Sequence, residues 1–217
     1  MKELFKKIRE EKRRRILTAS VNGFAKKGFD HTTVNEIAQK AEISVGSLYK
    51  YFDSKQDLFV TTVRYCAVTI KTTLDRVMQE DESWQEKVEK IIRTIQVHSR
   101  ENRVIIQFYN EMATQSNSGI VLETVEEVES LSQKLYSGMI CGEQQKGGIR
   151  SDCDSRLLAF LLDNLFMMLQ FSYACDYYRE RFKVYVSTDI LERDDFVAEQ
   201  MLKFICGAFA AESAEQK

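Results

Sequence analysis

The sequence predicts an all-α protein: a small N-terminal three-helix head followed by a larger helical bundle, about nine helices in all. Three observations carry this. The 217 residues include no proline and only nine glycines, so the usual helix breakers are scarce. Apolar residues recur at helical spacing, as in Leu17, Val21, Phe24 and Ala25. Helix start signals then punctuate the first 60 residues, notably Thr33-Val34-Asn35-Glu36.

The first helix is expected over Glu10–Lys27, with Gly28 as a left-handed cap. Thr33 opens a second helix to about Lys40, turning Ile37, Ala38 and Ala41 inward. Ser44 caps a third, about 45–51, whose Leu48 and Phe52 face the core. Ser54-Lys55-Gln56-Asp57 starts a long fourth helix to about Gln79. These boundaries separate a head at 1–55, with its motif at about 33–52, from a helical body at 56–217. In the body, helices are expected near 84–101, 103–115, 120–146, 153–180 and 194–211. The joints between them fall at Ser116-Asn117-Ser118-Gly119, at Gly147-Gly148 and at roughly 187–193.

Composition removes several functions. Five cysteines without a CxxC pair argue against a disulfide framework or zinc site, leaving buried or idle thiols as the default. Two histidines, with no HExxH, leave hydrolase and di-iron chemistry without their usual ligands. No GxSxG, Walker or GxGxxG sequence is present, so no cofactor and no enzyme activity are expected. No run of about 18 apolar residues stands out, and the charged N-terminus is unlike a signal peptide. A cytoplasmic protein without membrane spans is therefore expected. Charge is uneven: residues 1–60 hold 13 Lys and Arg against 8 Asp and Glu, while the rest holds 18 against 25. A basic end on an acidic body suits a protein that touches phosphate with one end. The Lys12-Arg13-Arg14-Arg15 run is as compatible with a solvated face as with a phosphate-facing one.

The head has the form of a major-groove reader. Ser44, Val45, Gly46 and Ser47 keep the start of the third helix slim, and its exposed amides favour anions. Tyr49, Lys50 and Tyr51 offer two phenols and a cation on the outward side. Thr32 and Thr33 place hydroxyls where the second helix meets a phosphate strand, and Lys55 places its ammonium, for a phosphate, at the start of the fourth.

The string Ser44-Val45-Gly46-Ser47-Leu48-Tyr49-Lys50-Tyr51-Phe52, with Ser54-Lys55-Gln56-Asp57-Leu58 and the upstream Arg15-Ile16-Leu17, Thr32-Thr33 and Ile37-Ala38, resembles the N-terminal domain of the TetR family of bacterial transcriptional regulators. Glu42 departs from the glycine common in that turn. The resemblance implies an all-α homodimer whose second domain binds a small molecule that relieves repression. By matching positions it implies base or backbone contacts for Ser44, Val45, Ser47, Tyr49, Lys50 and Tyr51, and phosphate clamps at Thr33 and Lys55. The expected partners are a double-stranded DNA operator with inverted-repeat symmetry, a second copy paired through the last two long helices, and an apolar or amphipathic effector.

The body offers fewer signals. Residues 157–171 are apolar almost all round, with Arg156, Asp163 and Gln170 as one polar stripe on an interface, a pocket or solvent. An effector pocket is expected from Phe108, Met112, Tyr136, Phe166, Met167 and Phe171, with Glu111, Asp163 and Gln170 as polar handles. An activator or ligand-independent regulator of the same fold is the nearest rival, and a helical enzyme with a DNA-binding head a more distant one.

Overall fold

The computed structural model of the chain describes residues 1–78, 81–114 and 119–211. Among them are eleven α-helices and one 3₁₀ turn: α1 (Glu3–Lys6), α2 (Glu10–His31), α3 (Val34–Lys40), α4 (Val45–Tyr51), α5 (Lys55–Met78), α6 (Trp84–Glu101), α7 (Arg103–Thr114), α8 (Gly119–Lys146), α9 (Ser155–Ala174), α10 (Asp176–Tyr185), η1 (Ile190–Glu192) and α11 (Asp194–Phe209). The all-α class is as expected. The expected helix end at Gln79 and the joint Ser116-Asn117-Ser118 lie outside the described residues.

Two compact units divide the chain, one of residues 1–70 and 104–128, the other of 71–103 and 129–217. The first unit thus extends well past residue 55. Its core is aromatic: Phe24 and Phe59 meet edge to face at 5.0 Å, and Phe108 lies 6.2 Å from Phe24 and 5.4 Å from Phe59. Burying rings of this size dominates the energetics of a small core, so α7 belongs to the fold of the head. Gly28 takes φ 69°, ψ 178°, a conformation only glycine adopts readily, and kinks α2 before its last turn. Helix α1 was not foreseen. Its Phe5 is buried against Phe52 at 4.7 Å, which fixes the short helix to the back of α4.

In the second unit α6 packs on α9 and α11, and α10 packs on α9. Leu158, Leu162, Phe166 and Leu169 form the buried stripe of α9. By length and composition alone α9 could cross a membrane, a match that the sequence reading did not find. A core helix passes the same test, and the buried stripe gives α9 that place here. The single helix expected over 153–180 is broken at Cys175, which is extended at φ −104°, ψ 131°. Carbonyls freed at the break are taken by arginines: Arg103 Nε donates to Ala174 O (2.8 Å) and Arg179 Nη1 to Tyr173 O (2.8 Å). Tertiary hydrogen bonds end this helix where the sequence carries no stop signal.

Candidate nucleic-acid interface

The reading unit is assembled from local signals. Thr33 Oγ1 accepts from the Glu36 N–H at 3.2 Å while Glu36 Oε2 accepts from the Thr33 N–H at 3.3 Å, the expected capping box. Lys27 (2.6 Å) and the Thr33 N–H together hold the Glu36 carboxyl below the usual carboxylate range. Helix α3 is capped at its C-terminus by Ala41, and Glu42 follows with φ 54°, the left-handed turn residue. Its carboxylate pairs with Arg15 at 3.0 Å. Ser44 then caps α4 by accepting from the Ser47 N–H at 3.1 Å, and the two hydroxyls lie 2.8 Å apart.

Leu48, Tyr51 and Phe52 anchor α4 in the core. Outward it presents Gly46, with open space where a Cβ would stand, and the exposed Tyr49 and Lys50; Val45 and Ser47 are half-buried beside them. Backbone and side chain of Lys2 hold the far end, donating to Tyr51 O (3.0 Å) and Tyr49 O (2.9 Å), while the Met1 amine pairs with Asp57. Lys55 opens α5 with its ammonium over the Phe29 ring at 4.4 Å and bonded to Asp30 O at 3.2 Å. Fixed there, it keeps protons free to donate outward.

Two of the expected DNA contacts are corrected. Thr32 is 1% exposed, and its hydroxyl donates to the carbonyls of Gly28 (2.7 Å) and Gly23 (3.0 Å), so it ties α2 to α3 and cannot reach phosphate. Tyr51 is 7% exposed, its ring on Phe5 and its hydroxyl accepting from Lys12 at 3.0 Å. The helical period turns it inward, one residue past the outward pair Tyr49-Lys50. Thr33, Ser44, Gly46, Ser47, Tyr49, Lys50 and Lys55 keep positions open to a partner. Sequence reasoning missed the N-terminal brace, although Phe5 and Ile8 in a lysine-rich stretch were a signal for it.

The residues expected to bind an effector are distributed over both units. Phe108 and Met112 are core residues of the first unit, as their packing with Phe24 and Phe59 requires, and Glu111 lies on the same helix. Tyr136, Asp163, Phe166, Met167, Gln170 and Phe171 belong to the second. There Tyr136 packs edge-on against Phe166 at 5.5 Å, and burial pushes its phenol up. Burial, then the charge of Glu129, raises the Asp163 carboxyl to about 6. Burial also pushes the thiols of Cys66 and Cys175 up to about 12 and about 11, which disfavours the thiolate in both.

The profile described as bacterial regulatory proteins, tetR family, matches residues 16–61, which hold the whole reading unit. The head is that of the TetR family, and the chain is a DNA-binding transcriptional regulator. The uncharacterized HTH-type transcriptional regulator YhgD of Bacillus subtilis is 23% identical over 75% of this chain and 84% of its own. The HTH-type transcriptional repressor KstR of Mycolicibacterium smegmatis is 36% identical, over only 28% of this chain and 30% of its own. In fold, the chain is similar to the transcriptional regulator FadR of Bacillus subtilis in complex with stearoyl-CoA. That match has a TM-score of 0.72 at 17% identity and covers 90% of this chain and 98% of FadR.

Proposed function

We propose that this TetR-family regulator is a homodimeric repressor that grips an inverted-repeat operator and releases it when an apolar or amphipathic molecule enters the second unit. The observation that carries the DNA reading is the two-sided α4, anchored by Leu48, Tyr51 and Phe52 and bare at Gly46, Tyr49 and Lys50. Ser47 and Lys50 read bases, while Thr33, Tyr49 and Lys55 hold phosphates on either side. Pairing of two copies is supported by apolar side chains left in solvent on the last two long helices. On α9 these are Leu157, Phe160 (63% exposed) and Leu161, and on α11 Phe204 (62% exposed). Patches of that kind mark association surfaces.

An amphipathic effector is supported by Tyr136 and Phe166 beside the half-buried Asp163, and by likeness in fold to FadR with its stearoyl-CoA. Ligand binding biases the head spacing only by its differential affinity for the two states. Footprinting tests the reading. A two-fold footprint with half-sites about 34–36 Å apart is expected, and a single asymmetric half-site bound by a solution monomer overturns it. Lys55→Ala should weaken all sequences alike and lower the salt slope by about one counterion. Met167→Trp should abolish the response to long-chain acyl-CoA while operator binding persists. An unchanged response to every acyl-CoA in wild type favours a ligand-independent regulator.

A further inference from the structure

The four consecutive cations of α2 have different employment. Lys12 is bonded to Tyr51, Arg13 to Glu10, and Arg15 to Glu42. Arg14 is exposed and makes no ion pair among the described residues. It lines a cleft of about 530 Å³ with Arg15, Thr18 and Asn22 of α2 and Lys40 of α3, and Lys40 is likewise exposed and unpaired among the described residues. Three cations line this cleft against one carboxylate, Glu11. Thr18 adds a hydroxyl, and Asn22, whose amide donates one proton to Thr18 O at 2.8 Å, keeps a second to offer.

This cleft adjoins the reading helix. Arg15 on its wall is paired to Glu42, the turn residue two positions before the Ser44 cap of α4. From Arg14 to Asn22, α2 advances about 12 Å at 1.5 Å per residue. That length is about three and a half times the 3.4 Å axial rise per phosphate of one strand, so the cleft can follow several phosphates. We infer that this cleft binds the sugar-phosphate backbone of DNA next to the groove that α4 reads, with Arg14 and Lys40 as its cations. The inference rests on the DNA-binding reading and extends the contact from α4 onto the outer face of α2 and the end of α3. Such contacts fix register and add affinity without adding sequence preference.

The test is fluorescence anisotropy with a mixed-sequence 30-bp duplex from 50 to 200 mM salt, on wild type, Arg14→Ala, Lys40→Ala, the double variant and the charge-keeping Arg14→Lys. Both side chains are exposed, so melting curves should match wild type. Each alanine should shrink the affinity lost across that salt range by about 3.5-fold, and the double variant by about 12-fold, from a slope of 0.9 per phosphate. Arg14→Lys should retain the wild-type slope, and the ranking of a duplex panel should not change. A wild-type slope in the double variant overturns the inference while leaving the reading by α4 intact. Stabilisation of wild type by inorganic pyrophosphate, lost in the double variant without a change in slope, assigns the cleft to a small anion and also overturns it. No duplex binding by wild type at any salt overturns the DNA reading and the inference together.

Discussion

In residues 33–52 two helices of seven residues each carry their own start signals, Thr33 and Ser44, and a left-handed turn residue between them. Residues 155–209 build three helices differently. Helix α9 runs twenty residues and stops at Cys175 without glycine or proline, where Arg103, distant in sequence, and Arg179 of the next helix take its last carbonyls. The next turn is held the same way. Gln96 donates to Tyr173 Oη (3.1 Å) and Asp194 O (2.9 Å), Tyr173 donates to Asp194 (2.9 Å), and Arg100 grips the Asp194 carboxylate and Leu191 O. The reading unit is written locally, and the body is held by partners distant in sequence. Changes in the first should act through caps and turns, and in the second through buried polar networks and packing.

The largest effect should come in the aromatic core of the first unit. Phe108 lies on α7 yet packs with the rings of Phe24 and Phe59. Phe108→Ala should cost about 3–5 kcal/mol as a buried cavity in that core. Urea unfolding measures it. A loss below about 1 kcal/mol, with an altered effector response instead, would return Phe108 to the effector site. Tyr173→Phe should come next, at about 1–2 kcal/mol, since the buried Gln96 loses one of its two partners. Heating should then release the α10–η1 segment before the rest, seen as faster amide exchange there.

Asp163 makes the body pH-sensitive. Its carboxyl is raised to about 6 in the fold, mainly by burial and then by Glu129, against about 3.9 in an unfolded chain. The folded state binds the extra proton, so this group lowers stability as pH rises from about 4 through 6 and costs most above that. Asp163→Asn should flatten that dependence and raise the melting temperature at pH 7 by about 2–4 °C, the shift that about 1 kcal/mol gives at this size. A melting temperature that falls at pH 7 would mean the charge is compensated within the fold.

How far the sequence was legible follows the same division. Thr33, Ser44 and the inward Leu48 and Phe52 were readable because each depends on neighbours within four residues. Tyr51 was misplaced because adjacent aromatics look alike until the helical phase is fixed by Phe5, from a helix too short to leave a periodic signal. Thr32 was misread because its hydroxyl is spent on carbonyls of the preceding helix, exposed to it by the kink at Gly28. Phe108 and Met112 looked like pocket residues because an apolar side chain does not say which core it enters. Thr33→Ala tests the local side: about 1 kcal/mol from the lost cap, with weaker duplex binding. Combined with Tyr173→Phe, the losses should add within about 0.5 kcal/mol, since the two share no partner.

The smallest effect belongs to Glu42, where two terms oppose each other. A non-glycine residue at φ 54° is strained by roughly 1–2 kcal/mol. Glycine relieves that strain but brings about 0.5–1 kcal/mol of extra chain entropy to lose on folding. The exposed Arg15 pair that Glu42→Gly removes is worth at most about 1 kcal/mol. The net change should lie within about 1 kcal/mol of zero, close to the resolution of a denaturant titration. DNA binding is the sharper readout. Arg15 on the wall of the α2–α3 cleft would lose its carboxylate partner and become a third free cation there, so affinity for a mixed-sequence duplex at low salt should rise and the salt slope should steepen by up to about 0.9. A fall in affinity at unchanged stability would mean that the Arg15 pair positions α4, and that this turn serves the reading helix and not the cleft.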